Sequence, residues 1–410
     1  MGSTLRASHA KRRAVKVYAK KVGLLLVSLL ISLLLAEGLL HLAGIGQPVF
    51  RDVDPILGTA PVAGAEGMFT REGHAHVQIT EHGFRGVDVA ETKPPGVWRL
   101  AVLGDSYTEA KQVELEDAFP SRLQTLLDDC DAIDGRVEVL NFGIAGHGTA
   151  QQRLVLEHHA LGHEPDAVLL AFLTGNDITD NHPGLRQGQF PYYVLEDGEL
   201  VLNDDFKDSE WFKSRSQGGI GRWFRRNSRI YQLVRLMRAP EHAGRGAERG
   251  LADEVYCAPS TDDWRDAWDV TEALLARMHA DLAARDVPFL VATLSSAAQV
   301  DPDPAIRTAT AEQLGVEDLD YADRRVAEAG ERDGYPVLNL APGLRAYAEA
   351  EDAFLHGFEN TEMGSGHWNV EGHRQGAERI APWLCERLTT EPEPEVPDTP
   401  ARSDRTVDTD

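Results

Sequence analysis

The sequence predicts an α/β fold: a mainly parallel five-stranded sheet between two layers of helices, preceded by one apolar helix. Three observations carry this. Five short runs, at 97–103, 137–141, 167–173, 287–294 and 335–340, are continuously apolar rather than alternating, as strands buried on both faces are. Helical periodicity fills most of the gaps between them, with Phe119, Leu123, Leu126 and Leu127 on one stripe and Trp268, Leu274, Leu275, Met278 and Leu282 on another. Strands alternating with helices imply a parallel sheet covered on both faces. Finally, the first three runs each end on a distinctive polar turn, and in a parallel sheet those turns share one edge.

Taken in order, residues 1–21 carry seven basic residues and no acid. Fifteen uncharged residues come next at 22–36, and the apolar character continues through Leu39, Leu40, Leu42 and Ile45, broken by Glu37 and His41. A bilayer core takes roughly 20 residues of helix, so 22–45 is long enough to span it. The basic flank keeps the amino end in the cytoplasm, which sends the chain beyond Gly46 to the extracytoplasmic side. A cleaved signal peptide fits less well: the leader is long, the apolar segment outlasts an ordinary h-region, and it is not succeeded by a clear small-x-small site. Lys11-Arg12-Arg13 lacks the rest of a twin-arginine consensus, and the apolar segment has no cysteine behind it for lipid attachment. The expectation is a retained signal anchor with Glu37 and His41 near the outer interface.

Residues 47–96 are rich in Gly and Pro and read as an irregular stalk that folds back on the domain, with a short alternating stretch at 76–80. The main domain runs over 97–390 and is interrupted by an insertion at 178–262, in which a helix is expected at 229–237. Between Lys213 and Arg245 stand nine basic residues and one acid, Glu241, beside paired aromatics such as Trp211-Phe212 and Trp223-Phe224. A solvated insertion and a lid with a basic, aromatic face toward lipid headgroups or an anionic glycan both fit. The tail at 391–410, rich in Pro, Thr and acid, is expected to be disordered.

A net charge of −25 over 410 residues argues against a nucleic-acid partner, which needs a basic face. Cys130, Cys257 and Cys385 form no metal or redox spacing; three buried thiols are the expectation, and no pairing can be read.

The chemistry lies in the turns. Ser106 stands after the first run in Gly104-Asp105-Ser106-Tyr107, Asn141 to Gly148 after the second, and Gly175-Asn176-Asp177 after the third. After the fifth comes Gly366-His367-Trp368-Asn369, leading into a helix with Ile380, Leu384 and Leu388 on one face. Serine becomes a nucleophile when a base takes its proton, and His367 can be that base. The backbone amides of Ser106 and Gly146 and the side-chain amide of Asn176 can receive an oxyanion, with glycine at 146 allowing close approach.

These blocks resemble those of the SGNH/GDSL hydrolases, particularly membrane-anchored bacterial members. Gly-Asp-Ser-Tyr-Thr at 104–108 matches the first block, Asn141 to Gly146 the second, Gly-Asn-Asp at 175–177 the third and His-Trp-Asn-Val-Glu-Gly-His at 367–373 the last. Glu81 to Gly86 resembles the stretch ahead of the first block in anchored members. The resemblance covers about 79–388 apart from the insertion. It implies a three-layer, flavodoxin-like fold, Ser106 as nucleophile, His367 as base, Gly146 and Asn176 in the oxyanion hole, and no cofactor or metal.

One position departs from the pattern. Two and three residues before the histidine, where the family usually has an aspartate, stand Ser365 and Gly364. Losing the acid that orients the base can cost around 10⁴-fold. A backbone carbonyl, Ser365, Glu359 or Glu362 could hold the ring, and the third member is left open. Among the remaining polar residues, His373 reads as structural, and Asp105 and Asp177 as fastening their own turns. His147, His158, His159 and His163 lack metal-ligand spacing, and the glycines at 143, 146 and 148 do not make a dinucleotide fingerprint.

The sequence therefore points to a membrane-anchored, extracytoplasmic serine esterase acting on small acyl esters, such as acetyl esters, of a glycan or lipid. An O-acyltransferase of polysaccharides and a non-catalytic binding protein of the same fold are the alternatives.

Overall fold

The computed structural model describes residues 2–43, 45–46, 48–238 and 252–389, the first fourteen of them by backbone alone. The expected tail at 391–410 lies outside them, as does part of the basic insertion. Helix α1 (Gly2–Leu42) is followed by two small antiparallel hairpins, β1 (Arg51–Asp54) with β2 (Gly58–Pro61) and β3 (Glu66–Phe69) with β4 (Ala75–Gln78). The body then runs β5 (Val97–Gly104), α2 (Ser106–Glu109), α3 (Phe119–Leu127), β6 (Arg136–Gly143), α4 (Thr149–His158) and β7 (Ala167–Leu173). The insertion adds the hairpin β8 (Tyr192–Glu196) and β9 (Glu199–Asn203) and helices α5 (Glu210–Ser216), α6 (Ile220–Asn227) and α7 (Arg229–Arg238). The chain closes with α8 (Asp262–Ala283), β10 (Phe289–Leu294), α9 (Pro304–Leu314), α10 (Tyr321–Asp333), β11 (Val337–Asn339), α11 (Ala341–Glu351) and α12 (Val370–Thr389).

The five strands form one parallel sheet in the order β11-β10-β7-β5-β6. Because both faces are covered, alternate residues of β5 enter separate cores. Ala101 and Leu103 pack with α4, α8 and α10, while Leu100 and Val102 pack with α3, α11 and α12. All four are fully buried, each leucine or valine contributing about 1.5–3 kcal/mol relative to exposure. This is the three-layer α/β architecture that the resemblance implies. The chain leaves β5 toward β6 on one side and returns to β7 on the other, so the end of β5 is the sheet's switch point, where open α/β folds bind ligands.

Helix α1 contains a 27-residue stretch, Lys16–Leu42, that is long and apolar enough to cross a membrane. Its outer end is fastened to the insertion. The Glu37 carboxylate accepts hydrogen bonds from Ser228 Oγ at 2.9 Å, from the Ile230 amide at 3.2 Å and from the Arg229 amide, which begins α7. His41 Nε2 lies 3.2 Å from the Asn227 carbonyl.

The cysteines differ from the three-thiol expectation. Cys130, just past α3, is joined to Cys385 on α12 by a disulfide, with Cα atoms 5.8 Å apart, and Cys257 is free. The partners are 255 residues apart, and only the packing of α12 along α3 brings them together.

Candidate active site

The nucleophile turn is built by local geometry. Asp105 caps α2 by accepting the Tyr107 amide at 2.9 Å, which turns the chain from strand to helix and lifts Ser106 to the sheet edge. Gly104 is required because a Cβ there would lie 2.1 Å from Thr108 Oγ1 and 3.1 Å from the Ala171 carbonyl. The far end of α2 is held by the buried Arg85, from the segment preceding the first block. Its guanidinium donates to the carbonyls of Glu109 (3.2 Å), Ala110 and Val113 (2.6 Å). Burial pushes the Arg85 guanidinium down to about 10, with the Glu109 and Glu114 charges opposing.

The second turn docks on the first. Asn141 donates from Nδ2 to the Thr108 carbonyl at 2.7 Å and accepts the Gly143 amide at 2.9 Å. Gly146 has φ +73°, a conformation that glycine alone adopts freely, and Arg186 binds its carbonyl at 2.7 Å. Asn176, in the third turn, donates from Nδ2 to Asp105 Oδ2 at 3.3 Å. Asp177 accepts the Leu173 amide at 2.9 Å. Asp105 and Asp177 thus fasten their turns, as the sequence implies. Burial pushes the Asp105 carboxyl up, and burial together with the Asp105 charge pushes Asp177 well above the usual range.

His367 arrives on a loop closed by its own backbone. The Gly357 amide donates to the His367 carbonyl at 3.0 Å, and the Gly364 amide to the His356 carbonyl at 2.9 Å. The buried His356 Nδ1 lies 2.8 Å from the Gly366 carbonyl, which also accepts from Tyr107 Oη at 3.0 Å. Burial lowers His356 to about 4, so the ring is neutral and its Nδ1–H is the donor. Trp368, wholly buried, donates to Ser295 Oγ at 3.1 Å. His373 packs flat against Phe119, and burial holds it well below its ordinary pKa, as a structural residue.

Both nitrogens of the His367 ring are engaged. Nε2 lies 2.8 Å from Ser106 Oγ, and Nδ1 lies 2.6 Å from Glu72 Oε2. The other carboxylate oxygen of Glu72 accepts the His367 amide at 2.7 Å. Burial works to raise the Glu72 pKa, but the His367 hydrogen bonds and charge, aided by Gln112, outweigh it and hold the carboxyl below its ordinary value. An ionised carboxylate therefore fixes the ring as the Nδ1–H tautomer, with Nε2 free to accept the serine proton.

The ring's partner corrects the sequence candidates. Glu359 and Glu362 are exposed, Ser365 lines the cavity, and the acid comes from the loop between β3 and β4, in the segment expected to be irregular, which instead forms two hairpins. Glu72 reaches the ring because Asn360 clamps its loop, accepting the Gly73 amide at 2.9 Å and donating to the Thr70 and Gly73 carbonyls, each at 3.1 Å. Gly73, at φ +68°, sits so close to the body that a Cβ would lie 2.2 Å from the Gln112 carbonyl. An acid beside a glycine in that segment was the only local sign of it.

Ser106, Gly146, Glu72 and His367 line one open cavity of about 1090 Å³. Its outer wall comes from the insertion through Trp211, Arg215, Arg225, Tyr231, Gln232 and Arg235. Among the described residues no group of three or more His, Cys, Asp or Glu could hold a metal ion.

No family model matches the chain, and no curated protein matches it. Solved structures are similar to it. The acetyl xylan esterase AlAXEase is 15% identical over 70% of this chain and 99% of its own, with a TM-score of 0.38. A putative lipolytic protein of the G-D-S-L family from Desulfitobacterium hafniense is 12% identical over 69% and 98%, with a TM-score of 0.33. An acetylxylan esterase from Geobacillus stearothermophilus is 12% identical over 72% and 95%, with a TM-score of 0.36.

Proposed function

We propose that this chain is a membrane-anchored, extracytoplasmic serine esterase of the SGNH type that cleaves small acyl esters of a glycan or lipid. The observation that carries the reading is the unbroken contact chain Glu72–His367–Ser106 at the switch point of the sheet. His367 Nε2 takes the Ser106 proton as Oγ attacks the ester carbonyl, and Glu72 stabilises the imidazolium that forms. The oxyanion is received by the amides of Ser106 and Gly146 and by Asn176 Nδ2. His367 then gives its proton to the departing alkoxide, leaving an acyl-serine. Water, activated by the same ring, releases the acid and restores Ser106.

Ser365 and Gly364 stand where the family usually has an aspartate, which motivates the non-catalytic reading; Glu72 on the ring's Nδ1 speaks against it. The anchor is supported by the apolar stretch Lys16–Leu42 behind a basic leader, and the extracytoplasmic side by the Cys130–Cys385 disulfide, since disulfides persist in oxidising compartments. In this reading 1–21 is cytoplasmic, 22–45 spans the membrane, and 47–96 is an arm that completes the active site of 97–390. Fluorophosphonate labelling of the full chain in detergent micelles, with the adduct mapped by mass spectrometry, tests it. The expected result is an adduct on Ser106 that disappears in His367→Ala and nearly disappears in Glu72→Gln. Absence of labelling, where a control hydrolase labels fully, overturns the esterase.

A further inference from the structure

The cavity around Ser106 is far more basic than the protein that contains it. Six arginines and lysines line it against three carboxylates, in a chain of net charge −25. Most of the acids are already committed: Glu72 to His367, and Asp52 to Arg226 at 2.8 Å. Among the cations, Lys111 is paired with the buried Glu109. That leaves Arg51, Arg71, Arg215, Arg225 and Arg235 facing Glu362; none of the five forms a direct ion pair among the described residues, and Arg51 alone also lies in the field of the Glu109 carboxylate.

Their placement is specific. Arg51, on β1, brings Nη1 to 3.3 Å from where a Cβ of Gly146 would stand, beside the oxyanion position. Arg71 immediately precedes Glu72. Arg235 comes from α7, and Arg215 and Arg225 come from α5 and α6. Partial desolvation first, and then the like charges of Arg235 and Arg51, hold Arg71 below its ordinary pKa, so the three sit within each other's fields. Like charges gathered from separate segments without direct ion pairs repel one another, and a bound anion relieves that repulsion. Guanidinium groups also match carboxylate and phosphate oxygens in geometry.

We propose that the ester substrate carries a carboxylate or phosphate charge next to the scissile bond, held among Arg51, Arg71 and Arg235. This rests on the esterase reading of the same site and names its substrate class. The charge steers the ester into the cavity and sets its carbonyl against Ser106, while a neutral ester of the same acyl group lacks that purchase.

The test uses the full chain in neutral detergent with two matched pairs of esters. One pair is O-acetylated oligogalacturonate against O-acetylated xylo-oligosaccharide; the other is dihexanoyl phosphatidylglycerol against dihexanoylglycerol, which lacks the phosphate. In at least one pair the anionic member is expected to have about tenfold or greater kcat/KM at low salt, with the preference shrinking as ionic strength rises. That pair identifies the source of the charge. Arg71→Gln and Arg235→Gln should each reduce the anionic-to-neutral ratio about tenfold, and Arg235 lies on a different segment from Glu72, so a disturbed triad does not account for both. Equal turnover within both pairs, or a preference that neither variant moves, overturns the proposal. If no ester is cleaved, the esterase reading has failed, and calorimetry with trigalacturonate and xylotriose decides the anion site alone. Binding of the acidic trisaccharide that Arg71→Gln abolishes upholds it, and no binding ends it.

Discussion

The sheet body and the segments that lean on it solve different problems. The body places Ser106, Asn176 and His367 through short-range devices: a buried strand, a capped turn, a glycine where a helix crosses a strand. The arm at 48–96 and the insertion pack into one of the two cores, through Leu57, Phe84, Tyr193 and Tyr256, and leave the other to the body; they also deliver Glu72 and the arginines that line the cavity. The contrast teaches that Ser106 and His367 are placed by the fold, whereas the carboxylate and cations around them come from chain remote in sequence.

The largest effect should come from the body. Ser106→Ala is expected to lower 4-nitrophenyl acetate turnover by about 10⁵-fold or more with an unchanged circular dichroism spectrum. Residual activity near wild type would remove Ser106 from the chemistry. Next comes the arm: Glu72→Gln leaves the ring without its anionic partner and is expected to cost about 10³–10⁴-fold in kcat, against less than twofold for the exposed Glu359→Gln. Equal losses in the two variants would break the distinction between the regions.

Stability separates the regions in turn. The disulfide ties α12 to the end of α3, entirely within the body. Cys130→Ala with Cys385→Ala should lower unfolding free energy by about 3–5 kcal/mol in denaturant titrations. The smallest effect is a dependence on acid. Burial is the main cause that depresses His147 to about 3 and His356 to about 4, below the ordinary value near 6.5. A depressed histidine favours the fold above its unfolded pKa, and that contribution is lost as pH falls through the interval. Thermal stability should therefore drop between about pH 6.5 and 4, by roughly 2–3 kcal/mol per group. His147 joins the second turn to the arm, its Nε2–H donating to the Thr59 carbonyl at 2.9 Å, and its unprotonated Nδ1 is buried without a donor. His147→Gln should flatten the drop; an unaltered slope would show that the arm is not held through this ring.

The five strands and four polar blocks were legible in the sequence because each depends on neighbours in the chain. A buried strand must be apolar throughout, and the residue after it must turn. Glu72 was not legible, since it meets His367 across 295 positions and only the Asn360 clamp brings it there. The Cys130–Cys385 pairing was hidden in the same way, by the packing of two helices that the sequence does not align. The arginines were visible as an uneven charge distribution but not as a cavity, because three separate segments have to converge before the charge surrounds a volume.

Glu37 gives this division a further consequence. It stands on the apolar helix, yet its carboxylate is the seat on which α7 begins, and α7 carries Tyr231, Gln232 and Arg235 into the catalytic chamber. Anchor and chamber therefore share a joint. A shortened protein that begins after residue 46 retains Ser106, His367 and Glu72 but starts α7 on bare amides, with one wall unmoored. Such a protein tests the chemistry proposed for Ser106 but is a poor guide to selectivity, because the cavity wall that α7 supplies has lost its Glu37 contacts.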